Sequence, residues 1–192
     1  SACLVGSEMC IRDRYKGSEG VHDPLYARTL YIKGEERSLL LISNDLVNVP
    51  DSIVSSVRAE VTSRTDLEEE GILISATHTH SGPSLSPDIA AEVPSASAAH
   101  YRDILTRRII KAALQAAESP RKAKMGWATA KATIAFNRRN KDGPRDDEVG
   151  TLLVTDESNG SVASLVNYAC HGVVLGDRNY LISADYPGAV SR

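Results

Sequence analysis

The chain has 192 residues, with 22 basic and 25 acidic side chains and a formal net charge of −3. This balance excludes the strongly basic proteins that bind nucleic acid or an anionic membrane surface, and we expect no such partner. Hydrophobic residues make up 42% and charged residues 24%, as in ordinary globular proteins, and no apolar run approaches the roughly 20 residues of a membrane-spanning helix. Because aromatic residues are only 5%, we expect a core of Leu, Ile, Val and Ala.

The two ends of the chain suggest an incomplete domain. Residues 7–14 resemble a translated sequencing adapter of the kind found in metagenomic assemblies, so 1–14 is expected to be a non-native segment. At the other end a helix is predicted to begin near 186–188, and the chain stops soon afterwards at Arg192. We therefore expect 15–192 to be the N-terminal part of one domain.

Hydrophobic patterning in the first half predicts a hairpin, a helix and a further strand. Residues 26–33 and 38–43 flank a polar four-residue loop, as in a β-hairpin. Pro50 opens a helix whose apolar stripe consists of Ile53, Val57 and Val61. The short apolar run 72–76 then predicts a buried strand.

The second half alternates in the same way. Residues 84–98 are rich in Ser, Pro and Ala without any period, which predicts a loop that could shape a pocket. A helix over 99–117 is predicted to bury Tyr101, Leu105, Ile109, Ala112 and Ala116. Residues 122–135 read as a strand, and 150–154 with 161–169 as a second hairpin. Together these elements predict an α/β fold of mixed β-sheets with hairpins, flanked by helices.

Three of the five histidines follow predicted buried strands. His78 and His80 come just after 72–76, and on an extended backbone residues i and i+2 point to the same side. His171 follows the strand-like run 162–170. Zinc is commonly held by neutral imidazoles at about 2.0–2.1 Å, so the pattern predicts a metal site. The alternative is that these are polar loop histidines bonded to the backbone.

Simpler interpretations suit the other candidate ligands. His100 begins a helix and is expected at the surface, and His22 is expected to organise a turn with Asp23. Cys170 is either a thiolate ligand or, as we expect, a small buried hydrophobic residue. The three cysteines have neither zinc-finger spacing nor the pattern of a disulfide framework.

Three charged residues lie where they could serve such a site. The guanidinium of Arg138 could hold a carbonyl oxygen or an anionic intermediate through paired N–H donors, or it could pair with Asp146 or Asp147. Asp45 and Asp185 each end an apolar segment. Each could orient a ligating histidine from behind, or cap the helix that follows.

Other hydrolase signatures are missing from the sequence. No serine stands in a Gly-x-Ser-x-Gly elbow, and there is no glycine-rich phosphate loop. Residues 81–83 are Ser-Gly-Pro where a metallo-β-lactamase would have Asp-His after the first histidine pair. The predicted hairpins also argue against a barrel of repeated strand–helix units.

As an ordered set, five motifs resemble the N-terminal catalytic domain of neutral/alkaline non-lysosomal ceramidases. They are Gly-Val-His-Asp-Pro at 20–24, Thr-His-Thr-His-Ser-Gly-Pro at 77–83, Asn-Arg at 137–138, Asn-Tyr-Ala-Cys-His at 167–171 and Leu-Ile-Ser-Ala-Asp at 181–185. The resemblance runs from about residue 20 to the end of the chain, roughly the first half of that domain.

The resemblance implies a zinc-dependent hydrolase that cleaves an amide, with N-acylsphingosine (ceramide) split into a sphingoid base and a fatty acid, acting outside the cytoplasm. It implies that His78 and His171 bind zinc, that His80 contacts substrate, and that Arg138 helps to hold the scissile amide. A Glu and a Tyr ligand and an activity-linked serine would lie beyond Arg192. The chain by itself is therefore expected to bind zinc weakly and to turn over little.

Two departures from the family pattern leave the substrate open. Ser-Leu-Ser stands at 84–86 where ceramidases usually have glycines, and the stretch 138–171 is short. Both favour a compact bacterial branch of the family. The alternatives are a metallohydrolase of a non-lipid amide or ester, and a non-catalytic module that binds a metal or a carbohydrate.

Overall fold

The computed structural model describes residues 2–3, 17–83, 85 and 95–192, without side-chain placement at 2–3 and 95–98. The chain divides into two units, Ser1–Pro120 with Gly172–Arg192, and Arg121–His171. Most of the predicted adapter segment and of the predicted loop at 84–98 lies outside the described residues.

A mixed four-stranded sheet forms the centre of the first unit. Its strands, in spatial order, are β1 (Ala2–Cys3), β3 (Tyr26–Lys33), β4 (Ser38–Asn44) and β5 (Ile72–Ala76). Neighbours pair antiparallel except β4 and β5, which are parallel. A separate parallel pair joins β2 (Gly20–Val21) to β9 (Leu181–Ile182). The predicted hairpin at 26–43 and the strand at 72–76 are confirmed, but the predicted burial of that strand is wrong, since only Ile72 is buried.

Three helices belong to the same unit: α1 (Asp51–Arg64), α2 (Ser95–Glu118) and α3 (Asp185–Val190). Helix α1 begins directly after Pro50, whose φ of −59° suits a helix start. Its predicted stripe is buried, and full burial of each such side chain is worth about 1.5–3 kcal/mol. Helix α2 begins four residues earlier than predicted, because the small residues before position 99 continue the helix.

The core of the first unit is made chiefly of Leu, Ile, Val and Ala, as the composition predicts. Helix α2 contributes Tyr101, Leu105 and Ile109, all buried, with Ala112 also buried and Ala116 packed at the margin. The three large side chains pack in one cluster with Leu40 and Ile42 of β4. Within the described residues, no helix is both long enough and apolar enough to cross a bilayer.

The second unit is an antiparallel sheet of three strands, β6 (Lys124–Lys131), β7 (Glu148–Thr155) and β8 (Ser161–Tyr168), in that spatial order. The predicted second hairpin is confirmed, but no residue of β8 is buried, contrary to the prediction of a buried strand before His171. Strand β6 is shorter than the predicted 122–135. After β6 the chain leaves the ladder, and the hydroxyl of Tyr168 accepts a hydrogen bond from the backbone of Ala135 and donates one to the carbonyl of Ala132. The predicted mixed α/β class holds for the chain.

The parallel pairing of β4 with β5 positions the candidate site. Asn44 and Ala76, the last residues of the two strands, are register partners. Whatever follows both strands therefore leaves the sheet at the same edge, which is where open α/β sheets commonly bind ligands.

Candidate metal centre

The segment that carries His78 and His80 follows β5, and it is hydrogen-bonded at its start to residues at the end of β4 and just after it. The backbone N–H of Thr77 donates to the carbonyl of Asn44 at 2.9 Å, and that of His78 donates to the carbonyl of Leu46, also at 2.9 Å. These two bonds fix the start of the His-Thr-His segment by main-chain contacts alone, so the sequence needs no special side chain there.

At His78 the backbone is left-handed, with φ of +63°. The prediction that both histidines lie on an extended backbone is therefore wrong at this residue. A non-glycine residue at positive φ costs on the order of 1 kcal/mol or more and is found where surrounding contacts enforce it. The two imidazoles nevertheless lie together, with ring centroids 4.8 Å apart and planes at 87°.

The imidazole of His78 is oriented by a carbonyl group. Its Nδ1 lies 2.6 Å from the carbonyl oxygen of Val47. Because a carbonyl only accepts, Nδ1 must carry the hydrogen, and in the neutral ring the lone pair then resides on Nε2. This arrangement, with the far nitrogen bonded to a backbone oxygen, is the one that metal-binding histidines commonly show.

Gly172, the residue after the third histidine, contacts the segment that carries the first two. The backbone N–H of His80 donates to the carbonyl of Gly172 at 3.0 Å. A Cβ at Gly172 would stand 2.8 Å from the carbonyl oxygen of His78 and 3.0 Å from the Cα of Thr79. Only glycine allows this close backbone approach. His171, the last residue of the second unit, is joined to Gly172 by a peptide bond.

His78, His80 and His171 each offer a ring nitrogen, and these atoms all lie within 4.8 Å of one another. Two nitrogens bound tetrahedrally to one zinc ion stand about 3.3 Å apart, given bonds of about 2.0–2.1 Å. The ring nitrogens thus lie slightly farther apart than in a zinc-bound site, and small side-chain rotations can close the difference. Two of the rings are half-buried and that of His78 is exposed. The three imidazoles could hold a metal ion.

Beneath the cluster, buried polar residues hold the segment in place. Thr79 and Ser81, on either side of His80, are both buried. The hydroxyl of Thr79 donates to the carbonyl of Ser183 at 2.7 Å, and the backbone N–H of Ser183 donates to the carbonyl of Ser81 at 2.9 Å. Asn179 adds a bond to the hydroxyl of Ser81.

Asp23 is the centre of a second buried group of hydrogen bonds. Its carboxylate accepts from the hydroxyl of Ser183, the backbone N–H of Ala184 and the ring of His22. Burial raises the pKa of Asp23, but these three hydrogen bonds lower it, and the net pKa is below the ordinary value. The predicted turn contact between His22 and Asp23 is confirmed at 2.7 Å.

The family model described as neutral/alkaline non-lysosomal ceramidase, N-terminal, matches residues 11–192. The chain belongs to this ceramidase family. A comparison with curated protein sequences gives no match.

Two solved ceramidase structures share the fold. Neutral ceramidase from Pseudomonas aeruginosa superposes with a TM-score of 0.78 at 18% identity, over 98% of this chain and 33% of that one. A ceramidase complexed with C2 gives a TM-score of 0.78 at 19% identity, over 98% and 32%. The chain therefore spans about a third of the length of these ceramidases.

Asp185 and Asp45 bind backbone and side-chain donors in the first unit. The carboxylate of Asp185 accepts from the backbone N–H groups of Val174, Leu175 and Tyr186. Asp185 is the first residue of α3, and the cap position itself is Ala184. The predicted role of Asp185 behind a ligating histidine stays a prediction.

Asp45 is fully buried, and its Oδ2 accepts from the backbone of Tyr26 at 2.9 Å and from the guanidinium of Arg28 at 2.7 Å. It lies well before α1, whose cap position is Pro50, so it does not cap that helix. Burial raises the pKa of Asp45 above its ordinary value, although Arg28 and the Tyr26 N–H oppose this. Its predicted role behind a ligating histidine also stays a prediction.

The remaining candidates have simpler surroundings. Arg138 is exposed in the loop after β6, and among the described residues it makes no ion pair; Asp147 pairs with Arg145 instead. Cys170 is half-buried rather than buried, and it is not a member of the histidine cluster. His100 is exposed on α2, as predicted.

Sequence reasoning missed three contributors to the centre: the carbonyl of Val47, the backbone of Gly172 and the side chain of Ser183. The first is a main-chain atom, which carries no sequence signal. Gly172 directly follows a candidate ligand, and a glycine there is a signal of close backbone approach. Ser183 lies inside the Leu-Ile-Ser-Ala-Asp motif, whose serine had no assigned role.

Proposed function

We propose that this chain supplies the metal-binding histidines of a zinc-dependent amide hydrolase that cleaves ceramide into a sphingoid base and a fatty acid. The observation that carries the proposal is the grouping of three imidazoles within 4.8 Å in a member of the ceramidase family. Because the chain spans about a third of the solved ceramidases, the activity is assigned to the protein that contains it.

His78 and His171 are the proposed zinc ligands. The Val47 carbonyl holds the proton of His78 on Nδ1, which leaves Nε2 as its donor atom. Bound zinc lowers the pKa of a coordinated water to about 7 and polarises a carbonyl group, which is the chemistry that amide hydrolysis needs. The donor set of neutral imidazoles suits this ion.

His80 and Arg138 are the proposed catalytic groups. The backbone of His80 is held by its bond to the Gly172 carbonyl, and its ring would move a proton or donate to a developing oxyanion. Arg138 has no ion-pair partner among the described residues, which leaves its N–H donors available to a substrate carbonyl. Loss of one such donor costs about 10²–10³ in rate.

Ceramide is the proposed substrate because the family and both structural neighbours are ceramidases. A lipid amide buries its acyl chain, so each methylene that enters an apolar site adds about 0.8 kcal/mol, or about fourfold in affinity. We also propose, from its membership of this family, that the protein acts outside the cytoplasm.

Metal analysis tests the first part of the proposal. Zinc content is measured after dialysis on the longest protein that contains this chain, for the wild type, His78→Ala, His171→Ala and His80→Ala, with the exposed His100→Ala as a control. We expect zinc loss in the first two variants and retention in His80→Ala and in the control. Stoichiometric zinc in both His78→Ala and His171→Ala would remove the metal site.

Turnover tests the second part, on the longest protein that contains this chain. Hydrolysis of N-acylsphingosines with short and long acyl chains is compared with that of a water-soluble amide and an ester of matched leaving group. A steep rise in kcat/KM with acyl length is expected for the lipid amide. Equal rates across the chain-length series, or faster cleavage of the soluble substrates, would instead favour a non-lipid hydrolase.

A further inference from the structure

We infer that Ser183, Ala184 and Asp185, here called the brace, hold the two histidine-bearing loops at the spacing that a shared metal ion requires. The inference rests on the proposed function, since it gives the brace its purpose. Its residues are positioning residues: they act through the loops and are not ligands.

One end of the brace binds the loop of His80. The carbonyl of Ser183 accepts from the hydroxyl of Thr79, and its N–H donates to the carbonyl of Ser81. These two partners are the immediate neighbours of His80 in sequence. Because Ser183, Thr79 and Ser81 are all at most 2% exposed, water cannot replace these bonds without opening the structure.

The other end binds the loop that follows His171. Oδ1 of Asp185 accepts from the N–H of Val174 at 3.1 Å, and Oδ2 accepts from the N–H of Leu175 at 3.0 Å. Hydrogen bonds to a carboxylate are about twice as strong as neutral ones. The chain from Gly172 to Leu175 is thus fixed at Gly172, by His80, and again at 174–175.

Hydrogen bonds also join the residues of the brace to one another and to Asp23. The backbone N–H of Asp185 donates to the hydroxyl of Ser183 at 2.9 Å, and that hydroxyl donates to Asp23. Asp23 also accepts from the N–H of Ala184 at 2.9 Å. A displacement at either loop is therefore resisted through Ser183 by a buried carboxylate on another part of the chain.

Backbone strain marks the same position. Asp185 is 5% exposed and has φ of +55°, the left-handed region that L side chains rarely adopt. Such a residue costs about 1–3 kcal/mol unless its surroundings compensate. Here three N–H donors to its carboxylate offset the cost, and Asp is among the few residues that tolerate this conformation.

The test uses Asp185→Asn and Ser183→Ala, and the second of these keeps the backbone bonds to the loop of His80 but removes the hydroxyl that joins the brace to Asp23. Asparagine also tolerates positive φ, but its amide group cannot accept from both Val174 and Leu175. Asp66→Asn is the matched control, since Asp66 is exposed and precedes β5, whereas the histidines follow it. Two quantities are measured for each variant of the longest protein that contains this chain. They are zinc affinity by competition with a chromophoric chelator, and the hydrogen-exchange rate of the His80 amide without metal.

We expect both brace variants to lose about tenfold or more in zinc affinity, as supporting residues around metal ligands do. The His80 amide should exchange faster in both, and Asp66→Asn should match the wild type. The absorption spectrum of the cobalt-loaded protein should also change in the brace variants, which a loss of global stability alone would not cause. If Asp185→Asn does not fold, the measurements on Ser183→Ala alone support or overturn the brace.

The two proposals fail in different ways. A wild type that binds no zinc overturns the proposed function, and the brace is then judged by amide exchange. An unchanged exchange rate at His80 in a folded brace variant overturns the brace, whatever zinc does. Wild-type zinc affinity and cobalt spectrum in both variants overturn it as well.

Discussion

The carbonyl of Gly172 accepts the backbone hydrogen bond of His80, and its Cα lies so close to His78 that no side chain fits between them. This contact ties the residue after His171 to the loop of the other two histidines. The approach of the segment after His171 to that loop therefore depends on a residue without a side chain.

Gly172→Ala should separate the loops. The added methyl would stand 2.8 Å from the His78 carbonyl oxygen and 3.0 Å from the Thr79 Cα, and both are backbone atoms that cannot turn aside. We expect a loss of about 1–3 kcal/mol in the free energy of unfolding, together with weaker zinc binding. Gly126→Ala is the control, because nothing lies within 4 Å of its added Cβ. Denaturant unfolding and chelator competition measure the two effects, and equal behaviour of the two variants would contradict the prediction.

Asp23 should stabilise the fold at neutral pH and stop doing so in acid. Its pKa in the folded chain is below the ordinary value, so its contribution is present above the unfolded-state pKa and is lost as pH falls through the folded-state pKa. Asp23→Asn should cost about 1–3 kcal/mol at pH 7, because buried partners lose their acceptor. The difference from wild type should shrink in urea titrations below about pH 4, near the reference pKa of Asp. A difference that is constant with pH would contradict the assignment.

Arg28 should matter most when Asp45 is charged. Burial holds the pKa of Asp45 above its ordinary value. Asp45 therefore contributes fully to the free energy of unfolding below its unfolded-state pKa, and this contribution is lost as pH rises through its folded-state pKa. Arg28→Met removes the only cation bonded to this carboxylate among the described residues, and should cost about 3–5 kcal/mol at neutral pH. The cost should fall in acid, where Asp45 is protonated. Arg37→Met, an exposed change in the same hairpin, should leave the free energy of unfolding within about 0.5 kcal/mol of wild type.

Deletion of residues 1–14 should leave the thermal midpoint unchanged if this segment is foreign to the fold. The structure pairs Ala2 with Ala27 and Cys3 with Tyr26 at the edge of the main sheet, so the experiment has two distinct outcomes. For a chain of this size, about 1 kcal/mol shifts the midpoint by about 2–4 °C. A drop of several degrees in calorimetry would show that the segment packs against β3.

The sequence by itself determined the elements whose signals are local. Two runs that flank a polar loop predicted the hairpin at 26–43, and a short apolar run predicted strand β5. An apolar stripe at helical spacing predicted helix α1, because a helix buries the face that its own sequence presents. The same patterning placed all three candidate histidines after strands. The prediction for helix α2 was wrong chiefly at its start, where small residues give little apolar pattern.

Only the tertiary structure decided how those histidines are held. The left-handed backbone of His78, the Val47 carbonyl behind its ring and the close approach of Gly172 all arise between segments that are distant in sequence. They depend on the parallel pairing of β4 with β5 and on main-chain atoms, which are the same in every residue. A sequence can therefore name the side chains of a site, whereas backbone contacts between remote segments fix their orientation.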